Sequence, residues 1–113
     1  MLVKINDKFI HVADEVMLTN DGKPLLPGLE GRHVLQRQLD SWNYMKGYCK
    51  PEITIICGHG PVMEGGKLEK DLQNRIEYAK AIMEANGAIS YEDATKNCHC
   101  DFVGKPWHDH FAR

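Results

Sequence analysis

The sequence predicts an α/β fold, a small mixed sheet packed by two to three helices. Three observations carry that expectation. Short stretches of strand character give way to helical spacing after Arg32. A continuous, β-branched run, Ile53-Thr54-Ile55-Ile56-Cys57, then stands between Pro51 and Gly58-His59-Gly60-Pro61. Helical spacing returns after Gly65-Gly66. Alternating strands and helices are the pattern of layered α/β architecture, and 113 residues are enough for one small core.

The elements follow in order. Leu2 to Ile5 and Lys8 to Leu18 read as short strands, with Asn6-Asp7-Lys8 as the tight turn of a hairpin. Thr19 to Gly31 holds Asn20-Asp21-Gly22, Pro24, Pro27-Gly28 and Gly31, and reads as a loop. From Arg32, Leu35, Leu39, Trp42 and Met45 recur at helical spacing, with Arg37, Gln38 and Asp40 at polar positions. This predicts an amphipathic helix of roughly 13–16 residues stopped near Gly47. The run 53–57 has the composition of a strand buried on both faces, which two or three helices and one hairpin do not fully cover.

A second helix is expected from Lys67 to Ala85 after a Gly-rich connection. Leu68, Leu72, Ile76, Ala79 and Met83 mark its apolar face and Gly87 its C-terminal cap. Ser90-Tyr91-Glu92-Asp93 resembles a capping box and starts a short third helix over 91–97. Positions 98–113 show no period and form a Cys/His-containing tail after a domain at 1–97.

Composition narrows function. The chain is 42% hydrophobic and 27% charged, with a net charge of −2 and a pI near 6.3. No basic footprint for nucleic acid or an anionic membrane is present. No apolar run approaches the ~20 residues of a membrane span. The start, Met1-Leu2-Val3-Lys4-Ile5, lacks an apolar signal core, so a cytoplasmic location is expected. Four cysteines, Cys49, Cys57, Cys98 and Cys100, are too sparse for a disulfide scaffold, and Cys57 reads as a buried thiol.

The chemistry concentrates at the end of the β-branched run. A strand delivers His59 between two glycines, whose backbone freedom permits a tight turn or close approach to a ligand. The C-terminal end of a strand is where α/β proteins place their sites. The same residues also serve simply to close a turn.

Ile55-Ile56-Cys57-Gly58-His59-Gly60-Pro61-Val62 resembles the late strand-to-loop motif of the metallo-β-lactamase superfamily, in which Gly-His-Gly-Pro presents a metal-ligating His. Phe9-Ile10-His11-Val12-Ala13-Asp14-Glu15-Val16 resembles that family's strand ending in Gly-Asp, with Ala13 in place of the Gly. The proline-containing loop and both long helices come in the family's order, and the likeness spans Lys8 to Ala85. It implies half of an αββα sandwich. It also implies that Asp14 is a carboxylate bridging two zinc ions and that His59 ligates one of them. Zinc accepts both donor types, and a hydroxide shared by two such ions would attack an ester, amide, thioester or phosphodiester.

One departure is large. The family's His-x-His-x-Asp-His signature is absent, and the chain's one His-x-His is His108-Asp109-His110. Two ligands fall short of the three or four that a stable zinc site takes from protein. The expectation is therefore the C-terminal portion of a zinc-dependent hydrolase, completed by an N-terminal-half chain or across a homodimer. The alternative is a non-catalytic half-fold that serves oligomerisation or partner binding.

The tail offers a separate possibility, a Cys₂His₂ site from Cys98, Cys100, His108 and His110. Its spacing is not that of a standard zinc finger, and a plain polar C-terminus is the competing reading. Elsewhere, His11 is expected to face away from Asp14, His33 to be solvated at a helix start, and Glu15 and Glu64 to have no distinct role. Lys67 to Asp71 reads as a solvated helix face, and Trp107 and Phe111 as packing anchors.

Overall fold

The computed structural model describes residues 3–4, 8–13, 16–25, 35–50, 52–57, 60–100, 102–104 and 108. It is a mixed α/β structure. Strands β1 (Val3–Lys4), β2 (Phe9–Ala13), β5 (Thr54–Cys57) and β6 (Met63–Glu64) form one sheet in the order β1-β2-β5-β6. A second sheet pairs β3 (Met17–Leu18) with β4 (Pro24–Leu25). The helices are α1 (Leu35–Met45), α2 (Gly65–Glu84) and α3 (Tyr91–Ala94), with a 3₁₀ turn at Lys46–Tyr48.

The expected first hairpin forms, with β1 antiparallel to β2 and Val3 opposite His11. Its turn residues Asn6 and Asp7 lie outside the described residues. β2 then runs parallel to β5, the pairing that a crossover through α1 allows. The antiparallel neighbours β1 and β6 make the sheet mixed.

Besides α3, which ends at Ala94 rather than at 97, four details differ from expectation, each for a physical reason. The strand anticipated over 8–18 is two strands in different sheets, because a bulge in β2 and a bend at Val16 break the ladder. The expected loop at 19–31 contains β4, in which Leu18 is opposite Pro24. Proline is tolerated there because a two-residue ladder asks little of its missing N–H.

The run 53–57 is not buried on both faces. Ile55 and Cys57 are buried while Thr54 and Ile56 are half-exposed, so it alternates despite its uniformly apolar sequence. Finally, Gly65 and Gly66 are the first turn of α2 rather than a connection. Gly65 donates its N–H to the Ile53 carbonyl at 2.9 Å. A Cβ on it would lie 2.1 Å from the Lys50 carbonyl oxygen, so glycine is needed for close approach of the backbones.

The helices bear out their periodicity, except that Leu39 and Met83 are half-buried and Ile82 takes the inner position expected of Met83. Leu35, Trp42 and Met45 of α1 and Leu68, Leu72, Ile76, Ala79 and Ile82 of α2 join Ile10, Ile55 and Met63 in one core. α2 ends in a Schellman motif, with the Asn86 N–H on the Met83 carbonyl and the Gly87 N–H on the Ile82 carbonyl. Asn86 has φ 53° and Gly87 φ 85°, so the left-handed turn begins one residue before the glycine. Ser90 caps α3 by accepting the Asp93 N–H at 3.1 Å.

Candidate functional site

The C-terminal ends of β2 and β5 lie side by side. Ala13 is opposite Cys57, which precedes Gly58 and His59 in the sequence. The register slips between His11, opposite Ile56, and Ala13, opposite Cys57, which leaves Val12 as the extra residue of a bulge. Bulges next to sites re-aim the residues that follow them. Strict alternation in β2 is therefore broken between His11 and Ala13; the expected facing of His11 away from Asp14 involves a residue outside the described ones. Asp14 and His59, the two expected metal ligands, lie outside the described residues, as do Glu15, His33 and His110.

Around these strand ends the structure gathers a defined rim. Gly60, with φ 101°, packs on the β3–β4 hairpin so closely that a Cβ would lie 2.6 Å from the Leu18 Cβ. At the hairpin's tip, a Cβ on Gly22 would lie 3.5 Å from Lys67 Nζ and 3.6 Å from Pro61 Cγ. The tip is closed by the Thr19 N–H on the Lys23 carbonyl at 2.8 Å and by a contact between the Thr19 hydroxyl and the Asp21 carboxylate. That hydroxyl holds the Asp21 carboxyl below the usual carboxylate range.

Beneath the rim lies an ion pair that composition alone does not reveal. Arg75 is buried and meets the Asp71 carboxylate one helical turn earlier. The Arg75 guanidinium carbon also lies 5.8 Å from the centre of the Phe102 ring. Lys67, Glu69 and Lys70 are exposed as expected, but Asp71 turns inward to this pair. A signal was present in the sequence: Arg75 falls three residues after Leu72 and four before Ala79, on the apolar stripe itself. Cys57 is buried nearby, and burial, with the Asp71 charge adding to it, pushes its thiol up to about 11. The expectation of a buried thiol is met.

The tail residues take structural partners. His108 is buried, and its Nε2 lies 2.7 Å from the Ile89 carbonyl, to which it donates. Its Nδ1 lies 2.8 Å from the Tyr78 hydroxyl, so both ring nitrogens are engaged. The Cys98 thiol donates to the Asn74 carbonyl at 3.3 Å, and burial pushes it up to about 11. All four cysteines are free thiols. Among the described residues, no three His, Cys, Asp or Glu side chains gather as a metal site. Among them too, no helix is long and apolar enough to cross a membrane.

A groove of about 750 Å³ also opens between α2 and α3, floored by Ala81, Ala85 and Ala94 and rimmed by Glu77, Lys80 and Lys96. Its charges are mixed. No protein-family model, curated protein or solved structure matches the chain.

Proposed function

We propose that this chain is the C-terminal portion of a zinc-dependent hydrolase of the metallo-β-lactamase fold. Asp14 and His59 supply part of a metal site whose other ligands come from an N-terminal-half chain or a second copy. The observation that carries the reading is the register of β2 and β5. Ala13 and Cys57 are partners at the same end of two parallel strands, and the sequence continues to Asp14 one residue after the first and to His59 two residues after the second. The bulge just before Asp14 adds support, since it departs from regular pairing where a ligand would need aiming.

The donor set suits zinc, which takes imidazole nitrogen and carboxylate oxygen. When bound, the metal would supply an activated hydroxide for acyl or phosphoryl substrates. Within this chain, the tight contact of Gly60 with Leu18 fixes the residue that follows His59 in the sequence, and the buried Arg75 with Asp71 lies close enough to Cys57 to act on its thiol.

The test is a double-mutant cycle in zinc affinity, using Asp14→Asn, His59→Ala and the double variant. Each single change is expected to weaken zinc binding at least tenfold. The double variant is expected to lose little more than the worse single, because ligands of one site act together. Additive losses, or binding unchanged in both singles, overturn the reading.

A second reading has its own support. Phe9 and Val62 are 40% and 62% exposed, and Phe9, His11, Thr54 and Ile56 share the less buried face of the sheet. A half-fold used for self-association or partner binding would present such a face. It predicts an oligomeric mass that Ile56→Asp reduces, with zinc affinity indifferent to Asp14 and His59.

A further inference from the structure

We infer that residues 98–100, 102–104 and 108, after α3, are a strap that fixes the β3–β4 hairpin against Gly60 and Pro61, so that loosening the strap opens this rim while the helical core stays folded. Four anchors define it. The Asn74 side chain accepts the His99 N–H at 2.9 Å, and the Asn74 carbonyl accepts the Cys98 thiol. The Phe102 N–H donates to the Tyr91 hydroxyl at 2.9 Å, while the Phe102 ring covers the Arg75 guanidinium. The Val103 N–H donates to the Pro24 carbonyl at 2.8 Å, adding a bridge to the outer edge of β4. His108 ties the far end to Tyr78 and Ile89.

Three of these anchors hold the strap to the elements behind it, α2, α3 and the turn between them. The Val103 anchor holds it to the hairpin. The hairpin in turn bears on Gly60 through Leu18 and on Pro61 and Lys67 through its tip at Gly22. A two-stranded hairpin with two residues per strand has little stability of its own; Leu18 and the adjoining Val16 root its base in the core, and the strap clamps its outer edge at Pro24. Val103 is the clamp's one backbone bond to the hairpin among the described residues. Phe102 is the clamp's buried foot on α2, 2% exposed. The largely exposed tip, 20–23, and the outer edge are the less held part of the hairpin, and elements that open locally are drawn from such parts. That this rim is a ligand's entrance rests on the functional reading above; the strap does not.

Hydrogen exchange read by mass spectrometry on the full chain tests it. Val103→Pro removes the N–H that bonds Pro24 and is expected to raise exchange across 16–25 about tenfold, as loss of one hydrogen bond implies. Exchange across 68–82 in α2 is expected to hold. Because proline also restrains the residue before it, Phe102→Leu gives an independent check. It keeps an apolar foot, removes the ring face from Arg75, and should raise hairpin exchange by a smaller factor. Val103→Ala keeps the N–H and should be silent. Equal acceleration in α2 and the hairpin, or a hairpin unchanged in both Val103→Pro and Phe102→Leu, overturns the strap. Zinc affinity is a separate readout: its failure in the Asp14 and His59 cycle would sink the hydrolase reading and leave these exchange results untouched.

Discussion

The two faces of the main sheet are built from similar residues and have different surroundings. On the inner face, Ile10, Ile55 and Met63 are at most 5% exposed, sealed under α1 and α2. On the outer face, Phe9 pairs with Thr54 and His11 with Ile56, and Phe9 is 40% exposed. Burial by helices makes the inner face the source of stability. The outer face keeps the β-branched, apolar character of a buried strand with far less cover. The difference separates what this chain needs in order to fold from what it offers for something else.

The largest effect should come from the inner layer. Leu72→Ala removes a fully buried side chain from α2 and should destabilise by about 2–5 kcal/mol in denaturant unfolding. Next, Gly65→Ala places a methyl against the Lys50 backbone. Strain of about 1–3 kcal/mol should appear in the same measurement, because the atoms opposing it are backbone rather than a flexible side-chain end. Ser90→Ala removes the cap on Asp93 and should cost about 1 kcal/mol.

The outer face should respond least. Ile56→Ser should change the stability of the isolated chain by under about 1 kcal/mol. If the face is an interface, the same substitution lowers the mass in solution. A loss as large as that of Leu72→Ala would erase the distinction between the faces.

A pH effect sharpens the account of the inner layer. Burial pushes the Cys49 and Cys98 thiols from 9.0 up to about 11. Above pH 9 the unfolded chain loses these protons while the folded chain keeps them, so stability should fall as pH rises from about 9 to 11. Below pH 9 both states hold the protons and this contribution is fully present. Cys49→Ala with Cys98→Ala should reduce that slope and leave the part that Cys57, also pushed up to about 11, contributes. Thiol-reactive dye at pH 8 should label both far more slowly in the folded chain than in the unfolded one.

How far the sequence led depends on the length of each signal. α1 and α2 repeat their apolar spacing over several turns, which makes them legible. β3, β4 and β6 are two residues each and owe their existence to the partner strand rather than to any local pattern. The run 53–57 reads as buried on both faces because Thr54 and Ile56 suit either face, and only the packing of Ile55 and Cys57 into the core shared with the helices separates the two. Gly65 showed its glycine and concealed its reason, the Lys50 backbone fifteen positions earlier. In the tail, His108 was legible as a chemical group but not as the partner of Tyr78, thirty residues away. For the candidate site, the sequence supplied Asp14 and His59, and the parallel register of β2 and β5 supplied the reason to consider them together.

The most direct test of the central claim is the zinc content of the purified chain by elemental mass spectrometry, with its mass in solution, for the native sequence, Asp14→Asn and His59→Ala. The account predicts zinc bound when the chain is paired, with itself or with an added N-terminal-half chain, and lost in both variants. Zinc content indifferent to both substitutions, or no zinc in any paired state, would contradict it.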